Sequence, residues 1–204
     1  MIGPDRKTSA MQAYRSLGYA RLLVMLLAFG ALTISAEALE GDTDLFPSEL
    51  EIGDTTLIHK GVGRMRRWFI TGADVALYAP EGTARKDLLD GRPVILSLYY
   101  YTRISGDQFR RANRETLPKN VDADVLDKHA DNIEKMQDWL TGVEEGDRYQ
   151  LEHEPGRGTT LKRNGEKVGT IEDDDFASVF FQIWLGPDPV DQRMYDTLVA
   201  DLSE

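Results

Sequence analysis

The sequence predicts an α+β fold: an antiparallel sheet with helices packed mainly on one face. Three observations predict it. Strand-like segments come in two groups, each followed by helical segments, rather than alternating one for one as a parallel sheet requires. The run Val94 to Thr102 (VILSLYYYT) carries bulk on both faces, as a strand covered on both sides does. Asn164-Gly165 sits between two polar β-runs and marks a tight hairpin, because both turn positions need positive φ.

The elements follow in order. Thr55 to Lys60 (TTLIHK) reads as a strand, Gly61-Val62-Gly63 as a small turn, and Trp68 to Ala79 (WFITGADVALYA) as a second strand ended by Pro80-Glu81-Gly82. A short helix is expected over Thr83 to Leu89, with Thr83 as its cap. In the central strand, Leu96, Leu98 and Tyr100 face one way, and Ser97, Tyr99, Tyr101 and Arg103 the other. A helix from Ser105 should end at about Leu117, before Pro118. Ala123 to Val143 has helical spacing of Leu126, Ala130, Ile133, Met136, Leu140 and Val143. Arg148 to His153 is a strand, and the hairpin around Asn164-Gly165 follows. Phe176 to Leu185 reads as a widely buried helix closed by Gly186-Pro187, and Asp191 to Asp201 as a last amphipathic helix.

The front of the chain looks like an export signal. Arg6, Lys7, Arg15 and Arg21 precede a 13-residue apolar run, Leu22 to Ile34, and then small residues at A-x-A positions ending at Ala38. The run is shorter than the roughly 20 residues of a membrane span. The expectation is cleavage after Ala38, giving 1–38 as signal and 39–204 as one domain, with an uncleaved anchor as the alternative and Met11 as a possible start. Loss of the four basic and two acidic residues of 1–38 takes the net charge from −11 to −13. Such a surface repels phosphate backbones and anionic headgroups, so nucleic acid is not an expected partner. With no cysteine there is no disulfide, thiolate zinc site or thiol nucleophile. An envelope space such as a periplasm fits this composition.

No metal or cofactor is expected. Asp173-Asp174-Asp175 lacks the spacing, the glycine and the terminal glutamate of a calcium loop; aspartates there suit the start of the helix after them. His59, His129 and His153 are scattered, and no nucleophile elbow, phosphate loop or dinucleotide loop occurs. The arginines carry more chemistry. Arg64, Arg66 and Arg67 stand beside Trp68 and Phe69, and Arg103 follows the tyrosine-rich strand. A guanidinium can grip a carboxylate with two donors or polarise a carbonyl, and Tyr99 and Tyr101 could line the same cavity. A solvated strand edge is the plainer reading of those arginines.

A set of motifs runs in order through the chain. These are Phe46-Pro47, G-V-G-R before D-V-A-L-Y-A-P, Gly146-Asp147, Pro155-Gly156-Arg157-Gly158-Thr159, G-T-I-E-D-D-D-F and I-W-L-G-P-D-P-V-D. In these the chain resembles the bacterial chalcone isomerase-like proteins over about residues 45–200. The resemblance implies an open-faced β-sandwich, a long antiparallel sheet with helices layered on it and an apolar cleft between. It implies one of two functions: closure of a chalcone to a flavanone by intramolecular conjugate addition, with an arginine after the G-x-G turn holding the oxyanion, or fatty-acid binding without that chemistry. Aligned on the glycines, the arginine slot falls on Met65, flanked by Arg64 and Arg66, which strand alternation would put on one face. The arginine–aspartate pair often found after the central strand reads Thr102-Arg103.

The expected function is an exported, non-catalytic protein that binds an apolar or amphipathic small molecule, a fatty acid first among them. Arg64, Arg66, Tyr99, Tyr101, Arg103 and Phe180 are the candidate ligand contacts. The alternatives are an intramolecular lyase using Arg64 or Arg66, and an envelope interaction protein whose cleft is a filled core.

Overall fold

A computed structural model of the protein describes residues 41–204 apart from 68 and 69. The expected signal, its cleavage site, the choice of starting methionine, and Trp68 and Phe69 lie outside these residues.

Seven strands form one antiparallel sheet: β1 (Glu49–Ile52), β2 (Thr55–Arg67), β3 (Ile70–Ala79), β4 (Val94–Tyr100), β7 (Arg148–Glu154), β8 (Gly158–Arg163) and β9 (Glu166–Ile171), in that spatial order. A two-stranded pair, β5 (Ile104–Ser105) and β6 (Gly142–Val143), stands apart. Between β5 and β6 run α1 (Gly106–Asn120), α2 (Ala123–Lys128) and α3 (Ala130–Trp139). After β9 come α4 (Phe176–Phe180), α5 (Gln182–Leu185) and α6 (Gln192–Leu198). The architecture is the α+β one expected, with the helices on one side of the sheet.

Period-2 alternation sorts the strands as the sequence suggested. Val75, Leu77, Leu96, Leu98 and Tyr100 meet the helices, and Phe176, Phe180, Ile183 and Leu198 fill the space above them. On the far face a smaller apolar cluster joins Ile52, Leu57, Val62, Ala76, Tyr78 and Ile95 to Phe46. Phe46 belongs to residues 41–48, which lie over that face and include one short 3₁₀ turn, Thr43–Leu45.

Several expectations are corrected. Gly61 and Gly63 lie inside β2, not in a turn, because α6 crosses there: a Cβ on Gly61 would strike the Leu198 carbonyl, and one on Gly63 the Met194 carbonyl. Thr83 to Leu89 forms only a 3₁₀ turn, Arg85–Asp87. Pro118 does not stop α1 but sits in its last turn, where Asn120 donates to the Thr116 carbonyl at 2.9 Å and to the Asp188 carbonyl at 2.8 Å. The start of α1 carries a full capping box between Ser105 and Gln108. The long helix expected over Ala123 to Val143 breaks at His129, drawn to Asp173 at 3.1 Å, and its end becomes β6. The helix expected over Phe176 to Leu185 divides at Phe181. The hairpin stands as read, with φ of 52° at Asn164 and 84° at Gly165.

Two of the three aspartates, Asp173 and Asp174, act as latches. Asp173 accepts from Asn132 at 2.9 Å and pairs with His129, while Asp174 takes the Gly156 N–H on both oxygens at 3.0 Å. Asp175 occupies the cap position of α4 but makes no side-chain cap bond. Among the described residues no group of three His, Asp or Glu is placed to hold a metal ion. No helix among them is long and apolar enough to cross a membrane.

Candidate functional site

The far face of the sheet gathers three of the expected site residues. Arg64 on β2 stands in register with Asp74 on β3, and Asp74 is the one charged residue of that strand. Arg64 forks onto it, Nε at 2.8 Å and Nη2 at 2.9 Å. The Tyr101 hydroxyl donates to Asp74 at 2.8 Å, and the Asp42 N–H donates at 2.7 Å. Asp74 is 0 % exposed and so accepts four hydrogen bonds with no water needed. Arg64 also lies 5.6 Å from the Tyr101 ring centroid.

The electrostatics follow from this geometry. Burial alone would raise the Asp74 carboxyl; the bonds from Arg64, the Asp42 N–H and Tyr101 outweigh it and hold the group below its usual value. The hydrogen bond to Asp74 is the largest influence on Arg64 and keeps it firmly protonated against desolvation. Burial, then the bond to Asp74, pushes the Tyr101 phenol up to about 12. Burial likewise pushes Tyr78 up to about 12. Neither tyrosine is a base near neutral pH.

A second arginine shares this face. Arg148, at the start of β7, donates to Ser97 Oγ at 3.0 Å and to the Leu45 carbonyl at 2.9 Å. Its guanidinium is 4.8 Å from the Phe46 ring and 5.5 Å from the Tyr99 ring. Desolvation pulls its pKa down, partly offset by Tyr78 and Tyr99.

The other expected residues go elsewhere. The strand alternation that would align Arg66 with Arg64 is interrupted by a register shift between Met65 and Arg66; Arg66 Nε reaches Thr71 at 3.4 Å and its N–H reaches Asp191 at 3.1 Å. Met65 packs toward the helices. Arg103 is 77 % exposed and pairs with Glu144 at 3.3 Å. Phe180 is 0 % exposed in the helix-side core, its ring centroid 5.3 Å from that of Phe176. Sequence reasoning missed Asp74, Arg148 and the covering residues Asp42 to Phe46. A lone acid in the apolar run V-A-L-Y was the available signal for Asp74.

Two depressions open elsewhere. One, of about 520 Å³, is polar and lies at the β7–β8 turn, lined by Arg157, Thr160, Lys167 and Asp174 among others. The other, of about 390 Å³, runs between α1 and α2–α3. Its walls include Leu117, Pro118, Leu126, Ala130 and Ile133, with Arg110 and Arg114 on one bank and Asp127 and Glu134 on the opposite one. Asn113 lines it at 3 % exposure, and its amide nitrogen has no partner among the described residues. The space between sheet and helices, where a cleft was expected, is occupied by the large core.

Comparison with known proteins agrees with this architecture. No curated protein sequence gives a significant match. Among solved structures the chain is similar to a fatty-acid binding protein of Arabidopsis thaliana, with a TM-score of 0.57 at 16 % identity, over 76 % of this chain and 90 % of that one. The chalcone isomerase-like family pattern matches residues 40–200, spanning the whole sheet and its helical layer, and the chain therefore belongs to the chalcone isomerase-like family.

Proposed function

We propose that this protein is an exported, non-catalytic binder of an amphipathic small molecule, with a fatty acid as the foremost class. The carrying observation is the groove between α1 and α2–α3. Its volume of about 390 Å³ falls among ordinary ligand pockets, which run from about 300 to 1,000 Å³. Its apolar walls suit an acyl chain. Arg114, which forms no ion pair among the described residues, suits a carboxylate; the neighbouring Arg110 is already paired with Asp138 at 2.9 Å. The Arabidopsis protein of similar fold is a fatty-acid binding protein, which supports the same ligand class here.

The state of Arg64 argues against the lyase alternative. Electrostatic catalysis needs donors aimed at where charge develops. The two Arg64 donors in the fork are already engaged by a fully buried carboxylate. Export rests on the composition of residues 1–38, and N-terminal sequencing of the envelope fraction should read from Leu39.

Binding of a fluorescent fatty acid to the purified protein tests the reading. Saturable one-to-one binding is expected. Ala130→Trp, at an exposed wall position, should block it without touching the core. Arg114→Ala should weaken the acid but not the matching alcohol. Undiminished binding in a folded Ala130→Trp protein would sink the groove assignment. Flavanone formation from chalcone above the uncatalysed rate would restore the lyase reading.

A further inference from the structure

We propose that the sheet face beneath residues 41–48 is a second site, for a flat aromatic carboxylate, and that the N-terminal segment closes it by imitating that ligand. This site lies on the opposite side of the sheet from the helical layer and stands independently of the groove.

The argument begins with charge. Two other cations on this face have a carboxylate: Arg64 has Asp74 at 2.8 Å, and Lys162 has Glu152 at 2.7 Å. Arg148 has none among the described residues, although it is half-buried. Removing a guanidinium from water without an opposite charge is costly, and its bonds to a serine hydroxyl and a backbone carbonyl are only partial compensation. The covered patch therefore holds a half-buried guanidinium with no carboxylate of its own, in a protein whose net charge is −11.

What covers Arg148 has the chemistry of a ligand. The Phe46 ring stacks on the guanidinium at 4.8 Å, and the Leu45 carbonyl accepts from Nη2 at 2.9 Å. An aromatic ring joined to a carboxylate offers the same two groups. Its oxygen is charged, and charge-assisted hydrogen bonds are about twice as strong as neutral ones. Tyr99 on the other side of Arg148, with Ser97 and Tyr78 nearby, remains as the wall.

The cover is lightly held. Phe46 is its only buried side chain, at 7 % exposure, while Asp42, Thr43, Asp44, Pro47 and Ser48 are exposed. Beyond the Arg148 contact it is tied by the Asp42 N–H to Asp74 at 2.7 Å, the Tyr78 hydroxyl to the Pro47 carbonyl at 2.9 Å, and the Gly41 N–H to the Val62 carbonyl at 3.4 Å. The Ser48 carbonyl accepts from the His59 N–H at 2.9 Å, so β1 keeps its place when the residues before it lift. Asp42 and Asp44 leave with the segment, making the uncovered face more attractive to an anion.

Calorimetric titration of the full chain with cinnamate tests this. Phe46→Ala should bind cinnamate at least about tenfold more tightly than the unaltered protein, a difference of about 1.4 kcal/mol. Adding Arg148→Gln should abolish that gain, and cinnamyl alcohol should bind neither protein. A folded Phe46→Ala protein with no gain, or a gain that survives Arg148→Gln, overturns the proposal. If Phe46→Ala does not fold, hydrogen exchange of the unaltered protein decides. Saturating cinnamate should speed exchange at the Asp42 and Phe46 amides and leave Ala76 unchanged; unchanged or slowed exchange at Asp42 and Phe46 overturns it.

Discussion

The two faces of the sheet solve the same burial problem by different means. The helix face buries aromatic and aliphatic side chains against one another, with Phe176, Phe180 and Phe181 all at 0 % exposure. The far face buries a smaller apolar cluster around the Arg64–Asp74–Tyr101 network and the Arg148 stack. Apolar packing is non-directional and tolerates repacking. An ion-pair network is directional, and each member depends on the others. The difference teaches where this molecule is forgiving and where it is not.

The largest effects should come from breaking each face alone. Phe180→Ala should cost about 3–5 kcal/mol through lost burial and a cavity. Arg64→Ala should cost about 3–5 kcal/mol by leaving a buried charge without its partner. Urea denaturation measures both. The double variant Arg64→Met/Asp74→Leu sharpens the contrast. It should recover most of the Arg64→Ala loss, because removing both charges removes the desolvation cost as well. A double variant no more stable than Arg64→Ala would mean that the network, not the buried charge, carries the stability.

Acidity separates the faces next. His153, 1 % exposed on the helix side, has its pKa lowered from 6.5 chiefly by burial. Its unfolded form binds a proton first, so stability should fall as pH drops below 6.5 and level off once the folded value is passed. Asp74 has its pKa lowered from 3.8, so its contribution is present above 3.8 and lost as pH falls through the folded value. His153→Gln should flatten the upper part of the pH–stability curve relative to the unaltered protein and leave the lower part. His59, half-buried on the far face, shares the histidine sign and should keep a residual slope.

The smallest effects belong to residues outside both cores. Arg103→Ala breaks only an exposed pair and should change stability by less than about 0.5 kcal/mol. Asp174→Asn keeps one acceptor for the Gly156 N–H and should alter little in the same thermal or urea titration.

The sequence was informative where a local rule decided the outcome. Alternation put Leu96, Leu98 and Tyr100 on one face and Ser97 and Tyr99 on the other, and Asn164-Gly165 made its hairpin. The family motifs pointed to the right fold. Partners set by register were not legible. Arg64 meets Asp74 only because β2 shifts register between His59 and Gly61. His129 breaks a helix whose spacing looked continuous because Asp173, remote in the chain, draws it in. Gly61 and Gly63 looked like a turn because α6, which forbids side chains there, lies far downstream. Of the site, Tyr99 and Tyr101 were legible as bulk on one face of the central strand, and Arg64 as a cation beside aromatics; Arg148 read only as the start of a strand.

The seating of α6 on Gly61 and Gly63 bears on the order in which the protein is made. The final helix seats against the second strand of the sheet, in a strip kept bare by Gly61 and Gly63. The early strands therefore wait for the last segment to leave the ribosome before their surface is sealed. A chain stopped short of Asp191 would expose a flat glycine strip and should fall to proteases instead of reaching its folded state.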